Sequence, residues 1–283
     1  MRVAWVLLVA GCNQIYGLDN TRVRDGSVKE FFDAPPDSAF TCPTTGVPQF
    51  KFELTQVPIL ECTSYVPSRT WGKALTTCSA GSAGSEIRQG EIDKAVSKAT
   101  LDTQVALFEP RLWPDGDQVF FENLASFQEE VYKRNPDETW SFVGNAFPTN
   151  FFIDTTPPSR GPDRRVIRTE AMINTGIYQV TEMSDATGSW QIHDEYPLTD
   201  PNVIGVFHPS MTSDGLRLVA EGQLAAGVGK AIIFASRPNV GVRFGRFEVL
   251  ATVPKAASYP HLDDDCGKIY FSAVDTVFFL EQI

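Results

Sequence analysis

Positive charge is the first shortage in this 283-residue sequence: 24 Lys and Arg stand against 35 Asp and Glu, for a net charge of −11. A surface so short of cations cannot draw a phosphate backbone by counterion release, so nucleic acid is disfavoured as a partner. Histidine is scarcer, with only His193, His208 and His261 to serve as bases. No H-E-x-x-H, P-loop, G-x-S-x-G or dinucleotide fingerprint supplies a context for them, so no catalytic residue, metal or cofactor is expected. The five cysteines include no C-x-x-C, which argues against a reduced metal or redox motif. Long apolar runs are missing as well, since eight residues from Val3 to Ala10 cannot span a bilayer as a permanent helix.

What the first residues do carry is a targeting pattern. Arg2 gives a positive start, Val3 to Ala10 an apolar run, and small residues follow. Leu8-Val9-Ala10-Gly11-Cys12 resembles the lipobox of bacterial lipoproteins. The resemblance implies removal of residues 1–11 and acylation of Cys12, with stable anchoring in a membrane. Asn13 in place of Asp turns the expectation toward the outer membrane, with the folded body in the periplasm or at the cell surface. Residues 13–41 hold scattered charges, a Pro pair and no sustained period, and read as a flexible tether that begins at the lipidated Cys12.

The four remaining cysteines are even in number and exported, so disulfides are expected. Cys62 and Cys78 lie symmetrically about Thr70. In a hairpin over 62–78 they would face each other, which leaves Cys42 to pair with Cys266.

Gly and Pro are spread along the chain and Phe is abundant, at twenty, which favours many short strands joined by turns. Within that texture a repeat emerges. Pro110, Pro158, Pro209 and Pro260 each stand five residues before an Asp (Asp115, Asp163, Asp214, Asp265), and an apolar residue follows four after the Asp. The prolines are 48, 51 and 51 residues apart. A fainter copy at Tyr65-Val66-Pro67-Ser68, with Gly72 at the Asp position, precedes Pro110 by 43. Further strands and an aromatic-led segment (Trp140, Trp190, Phe244) recur downstream, giving four short strands per repeat.

That proportion is a β-propeller blade. The fold expected is all-β: a single propeller over 42–283, with repeats near 62–107, 108–155, 156–206, 207–257 and 258–283. The last copy ends after three strands, and the missing fourth is expected from 50–58, because Phe52 to Pro58 matches Phe247 to Pro254. Such closure removes an exposed sheet edge. Five blades of about 47 residues fill the 234 residues from 50 to 283.

PRLWPDGDQVFF and PSMTSDGLRLV resemble the WD-like repeats of the periplasmic TolB-type propellers, as does the turn Arg243-Phe244-Gly245-Arg246-Phe247. The resemblance implies a propeller with a binding role. Physically, the repeat is a turn device. Asp accepts from backbone N–H groups two residues on, Gly allows positive φ, and Pro needs no ladder partner. The aspartates are therefore read as structural.

The positions beside the repeat prolines are expected to line the channel mouth and to bind a ligand: Ser68, Glu109, Arg111, Ser159, His208, Ser210, Tyr259 and His261. His208 and His261 could approach one another, though two imidazoles only begin a metal site. Asp263-Asp264-Asp265 lacks the spaced oxygens of a Ca²⁺ loop and reads as a solvated turn. The function expected is a lipid-anchored, non-enzymatic binding scaffold of the cell envelope, with an envelope protein, peptide or glycan as partner. Two alternatives stay open: a glycan-active enzyme, which needs carboxylates converging on the central pocket, and a purely structural envelope lipoprotein. Glu109 and Asp263 are the inner-strand carboxylates that an enzyme would use.

Overall fold

The computed structural model describes residues 42, 46–81, 84–102, 107–126, 128–147, 154–160, 164–171, 178–184, 190–197, 200–225 and 229–283. Cys12, the segment 1–11, the tether 13–41 and Asp163 of the third repeat lie outside them.

Among the described residues, twenty strands form five four-stranded antiparallel sheets. Strand β1 (Thr55–Leu60) comes first in the chain and is placed last in the ring. Blade 1 holds β2 (Cys62–Ser68), β3 (Lys73–Ser79), β4 (Ser85–Glu91) and β5 (Ser97–Lys98). Blade 2 holds β6 (Leu107–Leu112), β7 (Gln118–Asn123), β8 (Gln128–Arg134) and β9 (Trp140–Asn145). Blade 3 holds β10 (Asp154–Thr155), β11 (Arg165–Ala171), β12 (Tyr178–Ser184) and β13 (Gln191–Pro197). Blade 4 holds β14 (Val203–Met211), β15 (Arg217–Leu224), β16 (Lys230–Ser236) and β17 (Glu248–Val249). Blade 5 holds β18 (Ser258–Leu262), β19 (Lys268–Ala273) and β20 (Thr276–Glu281), and β1 completes it beside β20. The molecule is thus the expected five-bladed propeller, closed by its N-terminal strand.

The apolar runs of the second strands follow from blade packing. Each blade is covered on both faces by its neighbours, so successive side chains along a strand serve different cores. On β7, Phe121 packs with Val66, Leu75 and Ile87 of blade 1, whereas Phe120 packs with Val166 and Met183 of blade 3. On β15, Val219 joins Leu262 and Phe271 of blade 5, and Ala220 joins Ile167 and Val180 of blade 3. Burying one such aromatic ring stabilises the fold by about 2–3 kcal/mol.

The repeat motif shapes the innermost strands. Phe108 pairs with Glu122 and Arg111 with Phe120, so Glu109 and Pro110 together oppose one residue of β7. The same two-against-one bulge occurs at His208-Pro209 and at Tyr259-Pro260. A bulge leaves an N–H unpaired, which is where proline fits without loss. Its first residue takes positive φ in every case: Glu109 at 45°, His208 at 47° and Tyr259 at 51°. Past the bulge, the turn aspartates accept as expected, Asp115 Oδ1 from the Asp117 amide at 3.0 Å, Asp214 Oδ1 from Leu216 at 2.9 Å and Asp265 Oδ1 from Gly267 at 2.8 Å. Cys266 takes the left-handed position that Gly116 and Gly215 hold elsewhere, with φ of 57°.

Two blades depart from the expected register. In blade 1 the bulge falls between Thr63 and Val66, with Ser64 at φ 51°. Tyr65 therefore stands where the other blades have proline, and Pro67 lies two residues further along. In blade 3, Thr156 donates to Ile167 O at 2.9 Å and Ser159 to Arg165 O at 2.8 Å. Ser159 thus closes the turn as Trp113, Thr212 and Asp263 do in blades 2, 4 and 5.

Both disulfides pair as expected. Cys62 and Cys78 are directly opposite across β2 and β3, and Cys42 is joined to Cys266 in the turn before β19.

Candidate functional site at the propeller axis

Positive φ at the bulge turns Glu109, His208 and Tyr259 out of the normal alternation, and the three meet from blades 2, 4 and 5. His208 Nε2 lies 3.1 Å from Glu109 Oε1, and its Nδ1 lies 3.5 Å from Oε2 of Glu221 on β15. The His208 ring sits 4.1 Å from the Tyr259 ring, which meets Phe108 edge-on at 6.0 Å. Arg111 is ion-paired with the Glu109 carboxylate and donates through Nε to Thr155 O of blade 3 at 2.7 Å. Thr155 in turn donates from its hydroxyl to Glu129 Oε1 on β8. Blade 1 contributes Thr77, whose hydroxyl oxygen accepts the Glu109 amide at 3.1 Å. Ser210 and His261 Nδ1 bond at 3.0 Å between blades 4 and 5.

The charges along this chain differ sharply. Burial pushes Glu109 upward, but Arg111 and His208 outweigh it and hold the carboxyl at about 2. Burial also works against Glu221, yet His208 and Lys230 hold it below the ordinary carboxylate value. Glu129 goes the other way: burial raises it to about 7, only partly offset by Thr155 and by the charges of Arg111 and Arg168. Its Oε2 is shut off from solvent and accepts no protein hydrogen bond. His261 is held neutral, since burial lowers it to about 4.

Of the eight positions expected at the mouth, the structure joins four in one network, Glu109, Arg111, His208 and Tyr259, and pairs Ser210 with His261. Ser68 and Ser159 are elsewhere, because the registers of blades 1 and 3 are shifted. Ser68 ends β2 and Ser159 follows β10, and they pack against Gly116 and Gly215 of the next blade. His208 and His261 do not share a partner, the first facing two carboxylates and the second a serine. Asp263, expected on an inner strand, instead follows β18 in the turn and accepts from Arg69 at 2.7 Å. Asp264 accepts from the amide and hydroxyl of Ser213, each at 2.6 Å, and Asp265 accepts from the Gly267 amide.

Sequence reading missed Glu129, Glu221 and Thr155, because attention stayed on residues flanking the prolines. The signal for Glu221 was present. It is a carboxylate inside RLVAEGQL, an otherwise apolar strand where an unpaired charge would be prohibitive.

No protein-family model matches this chain, and no curated protein matches it. Among solved structures, it is similar to TolB from Acinetobacter baumannii, at 12% identity over 78% of this chain and 54% of that one, with a TM-score of 0.45. A gluconolactonase from Xanthomonas campestris is similar at 10% identity over 78% and 72% of the two chains, TM-score 0.45. A bifunctional GH43-CE protein from Bacteroides eggerthii gives 9% identity over 83% and 34%, TM-score 0.49. The chain therefore spans about half the length of the A. baumannii TolB. These likenesses concern the propeller fold and carry nothing about activity.

Proposed function

We propose that this chain is a lipid-anchored, extracytoplasmic propeller that serves as a non-enzymatic binding scaffold in a bacterial envelope. One observation carries the reading: the axial charges are closed on one another. Glu109 is engaged by Arg111 and His208, and Glu221 by His208 and Lys230. Carboxylates spent in this way tie blade 2 to blade 4 and are not free to attack a substrate. Binding then falls to the polar, aromatic mouth around His208 and Tyr259, with a peptide, glycan or envelope protein as ligand. Two disulfides support an oxidising compartment. The lipobox-like Leu8 to Cys12 supports anchoring through Cys12, and the WD-like repeats support a binding role.

The test begins with fractionation of cells expressing the full chain. Wild type partitions with membranes, and Cys12→Ala releases it to the soluble fraction; unchanged partitioning refutes the anchor. A second reading, a glycan-active enzyme, is favoured by Glu129, a carboxyl raised to about 7 while Glu109 is held at about 2. That split is how acid and base roles are divided between carboxylates. Turnover of a chromogenic glycoside that Glu129→Gln abolishes would replace the scaffold reading with the enzyme.

A further inference from the structure

A cavity of about 190 Å³ lies between blades 1 and 5, off the axis, lined by Arg69, Ile92, Asp93, Asp263, Lys268 and Tyr270. Its charges are sorted by depth. Asp263 and Tyr270 form a buried floor, at 4% and 1% exposure, whereas Arg69 stands at the opening with 57% of its side chain exposed. Arg69 reaches Asp263 at 2.7 Å and Asp265 at 3.5 Å, and Lys268 reaches Asp93 Oδ2 at 2.5 Å.

Asp93 is the unusual member. It sits at positive φ (61°), in the turn between β4 and β5, with its amide donated to Tyr65 Oη at 2.8 Å. Its other carboxylate oxygen, Oδ1, is sealed from bulk solvent and accepts no hydrogen bond from the protein. A carboxylate oxygen only accepts, so the chemistry that completes it is a donor, and a charged donor completes it best. A non-glycine residue in the left-handed region costs energy, and such strain gathers where a side chain must be aimed. Beside it, burial raises Asp263 to about 6 despite Arg69, so a further positive group on the floor would favour its charged form.

We propose that this cavity binds a small zwitterion, such as a free α-amino acid, with the ammonium group on Asp93 and Asp263 and the carboxylate at Arg69. A purely cationic ligand would meet Arg69 and Lys268 without compensation, and a purely anionic one would meet the acidic floor. Only a molecule carrying both charges answers both ends. The cavity is separate from the axial network, so it stands or falls independently of the scaffold reading.

Calorimetric titration of the folded protein with the twenty free α-amino acids tests this, with ethanolamine, acetate and glucose as single-feature probes. At least one amino acid is expected to bind saturably, and the three probes at least tenfold more weakly. Asp93→Asn keeps side-chain shape and tolerates positive φ, and should weaken binding roughly tenfold or more, the usual worth of a charge-assisted hydrogen bond. Arg69→Gln, at an exposed position, is expected to do the same through the carboxylate end. The proposal is overturned if no amino acid binds, if a single-feature probe binds as well, or if binding survives both pocket variants undiminished.

Discussion

Replacing Glu109 by Gln tests whether the axis is a closed plug. Arg111 is 7% exposed and would lose its carboxylate partner while keeping its hydrogen bonds to the carbonyls of Thr155 and Glu109, at 2.7 and 3.1 Å. His208 would lose the carboxylate at 3.1 Å. Removing one partner of a buried ion pair costs about 3–5 kcal/mol. Against a total stability on the order of 5–15 kcal/mol, that is a large fraction. In a domain of this size it lowers Tm by about 10 °C. Urea denaturation followed by tryptophan fluorescence measures the loss directly, as a lower midpoint at unchanged slope. The double variant Glu109→Gln, Arg111→Met removes both charges and should recover most of the loss, because a well-packed apolar replacement of a buried pair is often neutral. If Glu109→Gln proves neutral or stabilising, the carboxylate is not what holds Arg111 in place. The axis would then resemble a functional site kept at the expense of stability, and the enzyme reading would gain.

The disulfides should differ in strength. By chain entropy, Cys42–Cys266, with a sequence separation of 224, stabilises by about 5 kcal/mol, and Cys62–Cys78, with a separation of 16, by about 3 kcal/mol. Paired Cys→Ala variants compared by urea midpoint should rank in that order, and the reverse order refutes the entropic account. Glu129 makes stability depend on pH. Its folded value is raised from 4.5 to about 7, so its contribution is complete below about pH 4.5 and is lost as pH rises through 7. Relative to Glu129→Gln, wild type should lose about 3 kcal/mol between pH 4.5 and 8. A constant difference between the two proteins across that range shows that the carboxyl titrates normally.

Blade number and closure were legible because a repeat amplifies a weak local signal. Pro and Asp five apart mean little once, but four copies at near-equal spacing mark how often a blade recurs. The match of Phe52–Pro58 to Phe247–Pro254 likewise located the closing strand. What remained hidden was register. Tyr65 fills the proline place in blade 1 because a bulge requires only that one N–H go unpaired, and residues other than proline satisfy that. Pro67 therefore misled, and Ser68 was misplaced with it. The axial partners were hidden for another reason. Glu221 and Glu129 reach His208 and Thr155 from second and third strands, and such encounters depend on how blades are arranged about the axis rather than on any spacing in the chain.

The bond between Cys42 and Cys266 also decides where mechanical load enters the molecule. Cys42 precedes β1, the strand that closes the ring against β20. Tension applied to the chain ahead of Cys42 passes through sulfur into the turn at the base of β19, and β1 lies downstream of that junction, out of the path. The hydrogen-bonded clasp, which would otherwise be peeled open one pair at a time, is spared. Reduction of this one bond would shift the load onto the clasp and turn a covalent tether into a zipper.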